Sequence, residues 1–559
     1  MQSRVVDYLV QAVSALGVRH IFGVDGANIE DLYDAIFDAP DDVTGVIAKH
    51  EFSAATMADG YARSTGGLGV VAATSGGGAM NLVAGLAESF ASRVPVLALV
   101  GQPPTALEGN GAFQDTSGQA GTIDAARMFH EITRYCARVE SAADLPDLLA
   151  RAVGAARRGG PAVLLLPKDV QQADMGAARP IRLPSKVYRR DEAGLARLRD
   201  ALTTARRTGK IVIIAGDQVA RDDARDELAR LATVLDAAVG VAPDAKDTYD
   251  NTDPGFCGVA GTMGHPELGA ALRSAALCLL IGTPMPITTR TGLDESLAGG
   301  TVASIGVTPP HLPAIHATST DLARTLSDLA DEFATATGAP EHRATTSLTP
   351  LHVPAASGPG LRYRQLVETI DAGLPDGTDV FADAGNTGAA VVHHLRVPRG
   401  GRFVVALGMG GMGYAFGAGI GSAFARGQDG VRRTVVVAGD GAFFMHGMEI
   451  HTAIEHALPI TFIVLNNNAH AMCVTREQLY YRNRYSFNRF RPAHLGDGVG
   501  AMFPELPAFS VRLPTELAAT LRHCMETPGP SFISIDVDPD EVPPFLPFLT
   551  TIEQSRSTT

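Results

Sequence analysis

Tryptophan is absent from this chain of 559 residues, aromatic residues make up only 6%, and cysteine is sparse. The five cysteines, Cys136, Cys257, Cys278, Cys473 and Cys524, are odd in number, widely separated and without a CxxC pair. That pattern speaks against a disulfide framework or a zinc site and makes a reducing cytoplasm the simplest compartment. No run of five like charges occurs and the net charge is -14, so a nucleic-acid or anionic-membrane surface has little electrostatic basis. Long apolar runs are missing as well. The opening MQSRVVDYLVQAVSALG has helical spacing in place of the continuous apolar core of a signal peptide. Phe403 to Ala425 carries no charge, but seven of its residues are glycine, which argues against a membrane span. No short-period repeat is present.

What the chain does have is glycine, 60 residues of it, within a composition 45% hydrophobic and 19% charged. This fits a glycine-rich α/β enzyme large enough for two to four domains. Short aliphatic runs such as HIFGV, LGVVAAT, VPVLALVG and PAVLLLP alternate with longer segments of helical period, the pattern of a parallel sheet covered on both faces. The same pattern returns in KIVIIAG, CLLIG and TVASIGV, and again in DVFAD, RFVVAL, RTVVVAGDG, ITFIVLNN and SFISIDV. Polar, proline-bearing text separates the three groups. The expectation is three doubly wound α/β domains at 1–172, 190–335 and 357–545, with an exposed connector from Thr335 to Gly360 and a frayed tail after Thr550.

The strongest chemical signal is RTVVVAGDGAFFMHGMEIHTAIEHALPITFIVLNNNAHAM. One buried-type strand ends in Gly439, Asp440 and Gly441, and the next ends in Asn466, Asn467 and Asn468. Asp440 and Asn467 lie 27 residues apart, one strand-helix-strand crossover, so both reach the carboxyl edge of a parallel sheet. A carboxylate and an amide oxygen there suit a hard divalent cation. Magnesium takes few protein ligands together with phosphate oxygens, and the flanking glycines let the backbone approach a diphosphate. Upstream, Gly408 to Gly413 reads GMGGMG and matches the dinucleotide fingerprint. The acid expected about 20 residues on is absent; the next strand ends instead at Asp440.

The GDG to NN segment resembles the thiamine-diphosphate signature. The resemblance implies a magnesium ion held by Asp440, the Asn467 side chain and the carbonyl of Ala469. It also implies thiamine diphosphate bordered by Gly439, Gly441, Ala442, His470 and Met472. The loop holding Gly408, Met409, Gly410 and Met412 is similar to the family segment in which a bulky side chain, here Met412, wedges between the two cofactor rings; core filling is the lesser alternative for Met412. Near the N-terminus, Lys49, His50 and Glu51 in AKHEFSAATMADGYARSTG, followed by TSGGGAMN, resemble the basic-His-Glu signature of 2-oxo-acid thiamine enzymes. Taken alone, Glu51 is an ordinary helix-start charge. The resemblance makes it the carboxyl group that shares a proton with N1′ of the aminopyrimidine, with Asn81 nearby, so that the imino nitrogen removes the thiazolium proton. Such a group works best with a raised pKa, and Phe52, Ala54, Ala55 and Met57 are apolar neighbours in sequence.

The likeness runs from IFGVDGANI through GNGAFQD and GGPAVLLLPKDV to DVDPDEVPPFLPF and is closest to acetolactate synthases. Phe113 and Gln114 match that family's pair near the reacting carbon, where an amide can donate to an oxyanion; as sequence they equally form a surface turn. Three departures stand out. Asp25 replaces the usual proline in FGVDGAN. Arg476 replaces a tryptophan that selects the second substrate, which suggests an acceptor of negative or polar character. GVAGTMGHPE, GTPMPITTR and ASIGVTPP replace the flavin-holding segments of relatives, leaving FAD open. Among the histidines, His470 is the best candidate for a site role, ahead of His50, His446, His393 and His394, for which packing roles are expected. The resemblance implies a carboligase that decarboxylates a pyruvate-like 2-oxo acid and joins the product to a carbonyl acceptor, working as a homodimer or homotetramer. The alternatives are a non-ligating decarboxylase, a nucleotide-binding oxidoreductase using GMGGMG, and a non-catalytic cofactor-binding subunit.

Overall fold

Strands buried on both faces need apolar residues at every position, and the long runs supply them. In the computed structural model, which describes residues 3–41, 43–176, 180–184, 187–334, 347–426 and 432–557, β3 (Gly69–Ala73), β4 (Val96–Gln102) and β6 (Pro161–Pro167) are buried throughout. This is the state of parallel strands between two helical layers. With β1 (His20–Val24), β2 (Thr44–Ile47) and β5 (Tyr135–Arg138) they form a six-stranded sheet in the order β2-β1-β3-β4-β6-β5.

A second sheet joins β7 (Lys210–Ala215), β8 (Ala238–Val241), β9 (Phe256–Val259), β10 (Ala275–Ile281), β11 (Thr301–Gly306) and β12 (Ile315–Thr318) as β12-β11-β10-β7-β8-β9. The third contains β13 (Asp379–Ala382), β14 (Phe403–Val405), β15 (Thr434–Gly439), β16 (Ile460–Asn466), β17 (Ala508–Val511) and β18 (Ser531–Asp536) as β14-β13-β15-β16-β18-β17. All neighbouring strands are parallel. The first and third sheets therefore share one strand order, while the second follows the order of dinucleotide-binding folds.

The charge-free stretch from Phe403 divides into β14 and the helix Tyr414–Arg426. Among the described residues no helix is long and apolar enough to cross a membrane. Residues 335–346 of the expected connector lie outside the described residues, as do 177–179 and 185–186 of the first linker. The rest of the connector is pinned: the amides of Thr349, Leu351 and Gly358 donate to Glu267, His393 and Asp538 at 2.9, 3.0 and 2.8 Å. The tail corrects the expectation of fraying, because Leu546–Ser557 is a helix. Phe548 and Leu549, at the start of this helix, are buried, Phe548 with its ring against Phe545 and Tyr480, while residues 553–556 are exposed.

The first and third units meet through the helices Glu51–Thr65 and Tyr414–Arg426, and glycine permits their approach. A Cβ on Gly60 would stand 2.0 Å from the Ala418 carbonyl oxygen, and one on Gly421 would stand 1.9 Å from that of Met57. Any side chain there forces the two backbones apart. Buried polar groups complete the seam. The Tyr414 hydroxyl donates to Asp59, which also accepts from Arg63 and Ser89, each at 2.7 Å.

The second unit is tied to the third by a buried ammonium. Lys246, 2% exposed, donates to the carbonyls of Val391 and Val392 at 3.4 and 2.6 Å and to that of Leu395, at the C-terminal end of the helix Asn386–His394. Its nitrogen also lies 5.4 Å from the Phe403 ring centre. Helix-end carbonyls and an aromatic face both favour a cation. Burial nonetheless lowers the Lys246 pKa to about 7, against the attraction of Asp371. An unfolded lysine titrates near 10.4, so between about pH 7 and 10 the unfolded chain binds more protons here than the folded one. Stability contributed by this group accordingly rises with pH across that window, by at most about 1.4 kcal/mol per pH unit. Urea unfolding of Lys246→Met, compared with wild type from pH 7 to 10, will show a flatter rise; an identical pH slope would refute the assignment.

Candidate functional site

A cavity of about 260 Å³ opens at the carboxyl ends of β13, β15 and β16, at the point where the strand order of the third sheet reverses. This is where doubly wound sheets bind ligands. Its volume sits just below the usual range for whole small-molecule sites, roughly 300–1,000 Å³, and suits one end of an extended ligand. The helices Asn386–His394, Asp440–His446 and Ala471–Tyr481 all begin at its wall. Three helix N-termini at one cavity favour an anion.

Asp440 is the first residue of its helix and is 1% exposed. Burial pushes its carboxyl up to about 7, opposed foremost by the backbone amides of Gly441 and Ala469 rather than by a cationic side chain. The Ala469 amide lies 3.2 Å from Asp440 Oδ2 and 3.0 Å from Asn467 Oδ1, so the two oxygens converge on one point. The three asparagines divide the labour. Asn466 ties the end of β16 to Asp536 and to the Ala493 carbonyl, at 3.2 and 2.9 Å. Asn467 lines the cavity, and Asn468 takes the left-handed conformation and holds the Ala493 amide at 2.8 Å. A buried carboxylate that has no cationic partner among the described residues, beside an amide oxygen, is a donor set that a divalent cation fits. Among the described residues no cluster of three or more His, Cys, Asp or Glu side chains could hold a metal, so any cation here relies on amide and carbonyl oxygens as well.

Of the residues singled out from the sequence, Gly410, Met412, Gly439, Gly441, Ala442, Ala469, His470, Met472 and Arg476 line this cavity with Asp440 and Asn467. Met412 and His470 both press on Gly441, whose added Cβ would meet them at 3.2 and 2.8 Å. Arg476 shares a helix face with Met472 and Cys473, and its Nη1 lies 4.0 Å from the Cys473 sulfur. Ala384, Gly385, Asn386 and Thr387 also line the cavity, and sequence reasoning missed them. The signal was there in DVFADAGN, a strand end followed by a glycine with φ +91° and a helix start.

Glu51, Asn81, Phe113 and Gln114 lie elsewhere, at the carboxyl edge of the first sheet. His50 caps the helix by accepting from the Phe52 amide at 3.0 Å. Glu51 is buried and takes a hydrogen bond from Asn81 Nδ2 at 2.9 Å. Gln114, with φ +57°, presses on Gly76 and accepts from Thr74 at 3.3 Å, while Phe113 is 75% exposed. None of these four lines the Asp440 cavity. Lys49 and His50 instead join the units: their amides donate to Glu449 at 2.9 and 3.0 Å, and the Lys49 ammonium pairs with Glu455 at 2.7 Å. His446 stacks on Phe52 and His393 on His265, with pKa values lowered to about 4 by burial, so both are neutral packing groups. A wider groove of about 650 Å³ on the first unit, lined by Asp124, Arg127, His130 and Cys136 among others, contains none of the expected site residues.

The GMGGMG loop is not arranged for a dinucleotide. It follows β14, a sheet edge, and its amides are taken: Gly408, Met409 and Gly410 donate to the buried Glu88 carboxylate at 3.2, 2.6 and 3.2 Å. The corresponding crevice of the second sheet, between β7 and β10, is filled by Gln218. Its amide accepts from Val307 N at 2.8 Å and donates to the Ser319 carbonyl and to Asp222 at 3.0 and 2.9 Å. Thr283 closes on Gly216, and Asp217 opens the helix a pyrophosphate would need.

Family models agree with this layout. Residues 3–122 match the N-terminal TPP binding domain of thiamine pyrophosphate enzymes, 195–333 the central domain and 383–535 the C-terminal TPP binding domain. The chain is 27% identical to the "Probable acetolactate synthase large subunit" of Methanocaldococcus jannaschii, over 96% of this chain and 93% of that one. It is 28% identical to the acetolactate synthase of Arthrospira platensis, over 95% and 94%. In fold it matches a Mycobacterium smegmatis protein assigned to the thiamin diphosphate-dependent enzymes, with a TM-score of 0.80 at 22% identity over 96% of this chain and all of that one. Fold and cavity together define a cofactor-dependent enzyme built of three doubly wound α/β units. The chain belongs to the thiamine-pyrophosphate-dependent enzymes, in the acetolactate-synthase-like family.

Proposed function

We propose that this enzyme uses thiamine diphosphate and Mg²⁺ to decarboxylate a 2-oxo acid and join the fragment to a second carbonyl compound. The observation that carries this reading is the convergence of Asp440 and Asn467 beneath three helix N-termini at the switch point of the third sheet. The bound cofactor supplies an electron sink that lets a 2-oxo acid lose carbon dioxide. Asp440, Asn467 and the Ala469 carbonyl hold the cation, while Gly439, Gly441 and Ala442 leave room for the diphosphate. Gly410 and Met412 line the same cavity, within the loop that begins with Gly408 and Met409. Glu51, oriented by Asn81, keeps a carboxyl group ready to share a proton with a ring nitrogen, and Phe113 and Gln114 face the substrate.

Because the Glu51 cluster lies outside the Asp440 cavity, a second copy of the chain completes each site, which makes the enzyme a homodimer or a homotetramer. The exposed Met409, Phe444, Met445 and Met448 suit such a contact. The five cysteines are free, in keeping with a cytoplasmic enzyme. Arg476 and His470 border the space left for the acceptor, and the guanidinium favours a carboxylate-bearing one. The hydrogen bonds of Gln218 at the crevice of the second sheet support a reading without flavin. The nearest rival reading, a decarboxylase that releases an aldehyde, differs only in the fate of the fragment.

Incubation with thiamine diphosphate, Mg²⁺ and pyruvate, with and without added carbonyl acceptors, will yield carbon dioxide and a carbon-carbon coupled product detectable by mass. Glu51→Gln will lower the rate by about 10²–10⁴-fold, the usual contribution of a positioned proton-transfer group. Carbon dioxide with free aldehyde alone would favour the rival. Arg476→Trp will shift acceptor preference away from carboxylates, and an unchanged acceptor profile would remove the proposed role. The protein will purify without yellow flavin absorbance and keep its activity when no FAD is added; a stoichiometric flavin would contradict the reading of the crevice.

A further inference from the structure

An asparagine amide presents an oxygen and a nitrogen of similar size, and its hydrogen-bond partners decide which of them faces a cation. At Asn467 the deciding partner is Tyr363, whose hydroxyl oxygen accepts from Nδ2 at 3.2 Å. The residue is 1% exposed, so water does not compete for this bond. With Nδ2 engaged there, Oδ1 is turned to the Ala469 amide and toward Asp440.

The backbone that carries the phenol is itself held by residues 536–541. Tyr363 opens the helix Tyr363–Gly373, and both Glu541 carboxylate oxygens accept from its amide, at 3.2 and 3.0 Å. Arg362 pairs with Asp538 at 2.8 Å, and the Leu361 amide donates to the Asp536 carbonyl at 3.0 Å. The segment 361–363 is thus stitched to the residues that follow β18, the neighbour of the strand that delivers Asn467.

We propose that Tyr363 is a positioning residue that keeps the Asn467 oxygen on the cation side and thereby sets affinity for the divalent metal. This rests on the reading of Asp440 and Asn467 as cation ligands. Without the phenol oxygen, the buried Nδ2 has lost its acceptor and only the Ala469 amide is left to orient the side chain.

The test is a Mn²⁺ titration followed by electron paramagnetic resonance, with thiamine diphosphate present. It compares wild type, Tyr363→Phe, Asn467→Asp and the double variant. Loss of such an outer partner typically weakens metal binding about 10–100-fold, and Tyr363→Phe will do so while the thermal midpoint of the metal-free protein holds. In the Asn467→Asp background both terminal atoms are oxygen, so removing the phenol will cost little further affinity. Wild-type affinity in Tyr363→Phe, or equal losses in both backgrounds, would overturn the inference while leaving the cofactor assignment intact. Failure of wild type to take up Mn²⁺ would overturn both.

Discussion

A carboxylate taken out of water is expensive unless something positive faces it, and Asp440 meets this condition with backbone alone. Among the described residues no arginine or lysine pairs with it, and the groups that oppose the cost of burial are foremost backbone amides. The third unit is arranged to make that burial tolerable. Parallel strands deliver the residue to the sheet edge, the reversal of strand order opens a gap, and three helices start there. The asparagines of the next strand then bring a neutral oxygen alongside. A lysine salt bridge would have satisfied the charge more simply, but it would also have used up the attraction that a metal and a diphosphate need.

The same economy of charge governs the contacts between units. Glu88 is hydrogen-bonded by the amides of the glycine loop, and Asp59 by two hydroxyls and a guanidinium, so the first unit grips the wall of a cavity it does not line. Glycines at 60 and 421 set the spacing of that grip to backbone contact. Rigidity of the cavity therefore depends on residues with no chemistry of their own.

The interior of each sheet was legible because strands such as β4, β6 and β16, covered on both faces, must be apolar throughout. β5, β8, β9, β12 and β17 were not. Each has four residues; all but β8 sit at a sheet edge, and β5, β12 and β17 are largely half-exposed, so their sequences carry neither length nor a clear period. At the site, Asp440 and Asn467 were readable from their spacing. Asn386 was missed although DVFADAGN marks a strand end and a helix start, but Tyr363 was invisible, since its role depends on Asn467, far away in sequence, and nothing local to RYRQL marks what it will face.

The separation of Glu51 from the Asp440 cavity has a genetic corollary. If each site draws one half from either chain, a copy damaged at Glu51 and a copy damaged at Asp440 are not equally dead in company. Paired together, they form one site carrying both lesions and one carrying neither, so two null alleles restore function to each other. Selection then acts on the assembled pair, and a lesion in one half-site can persist wherever its complement is supplied.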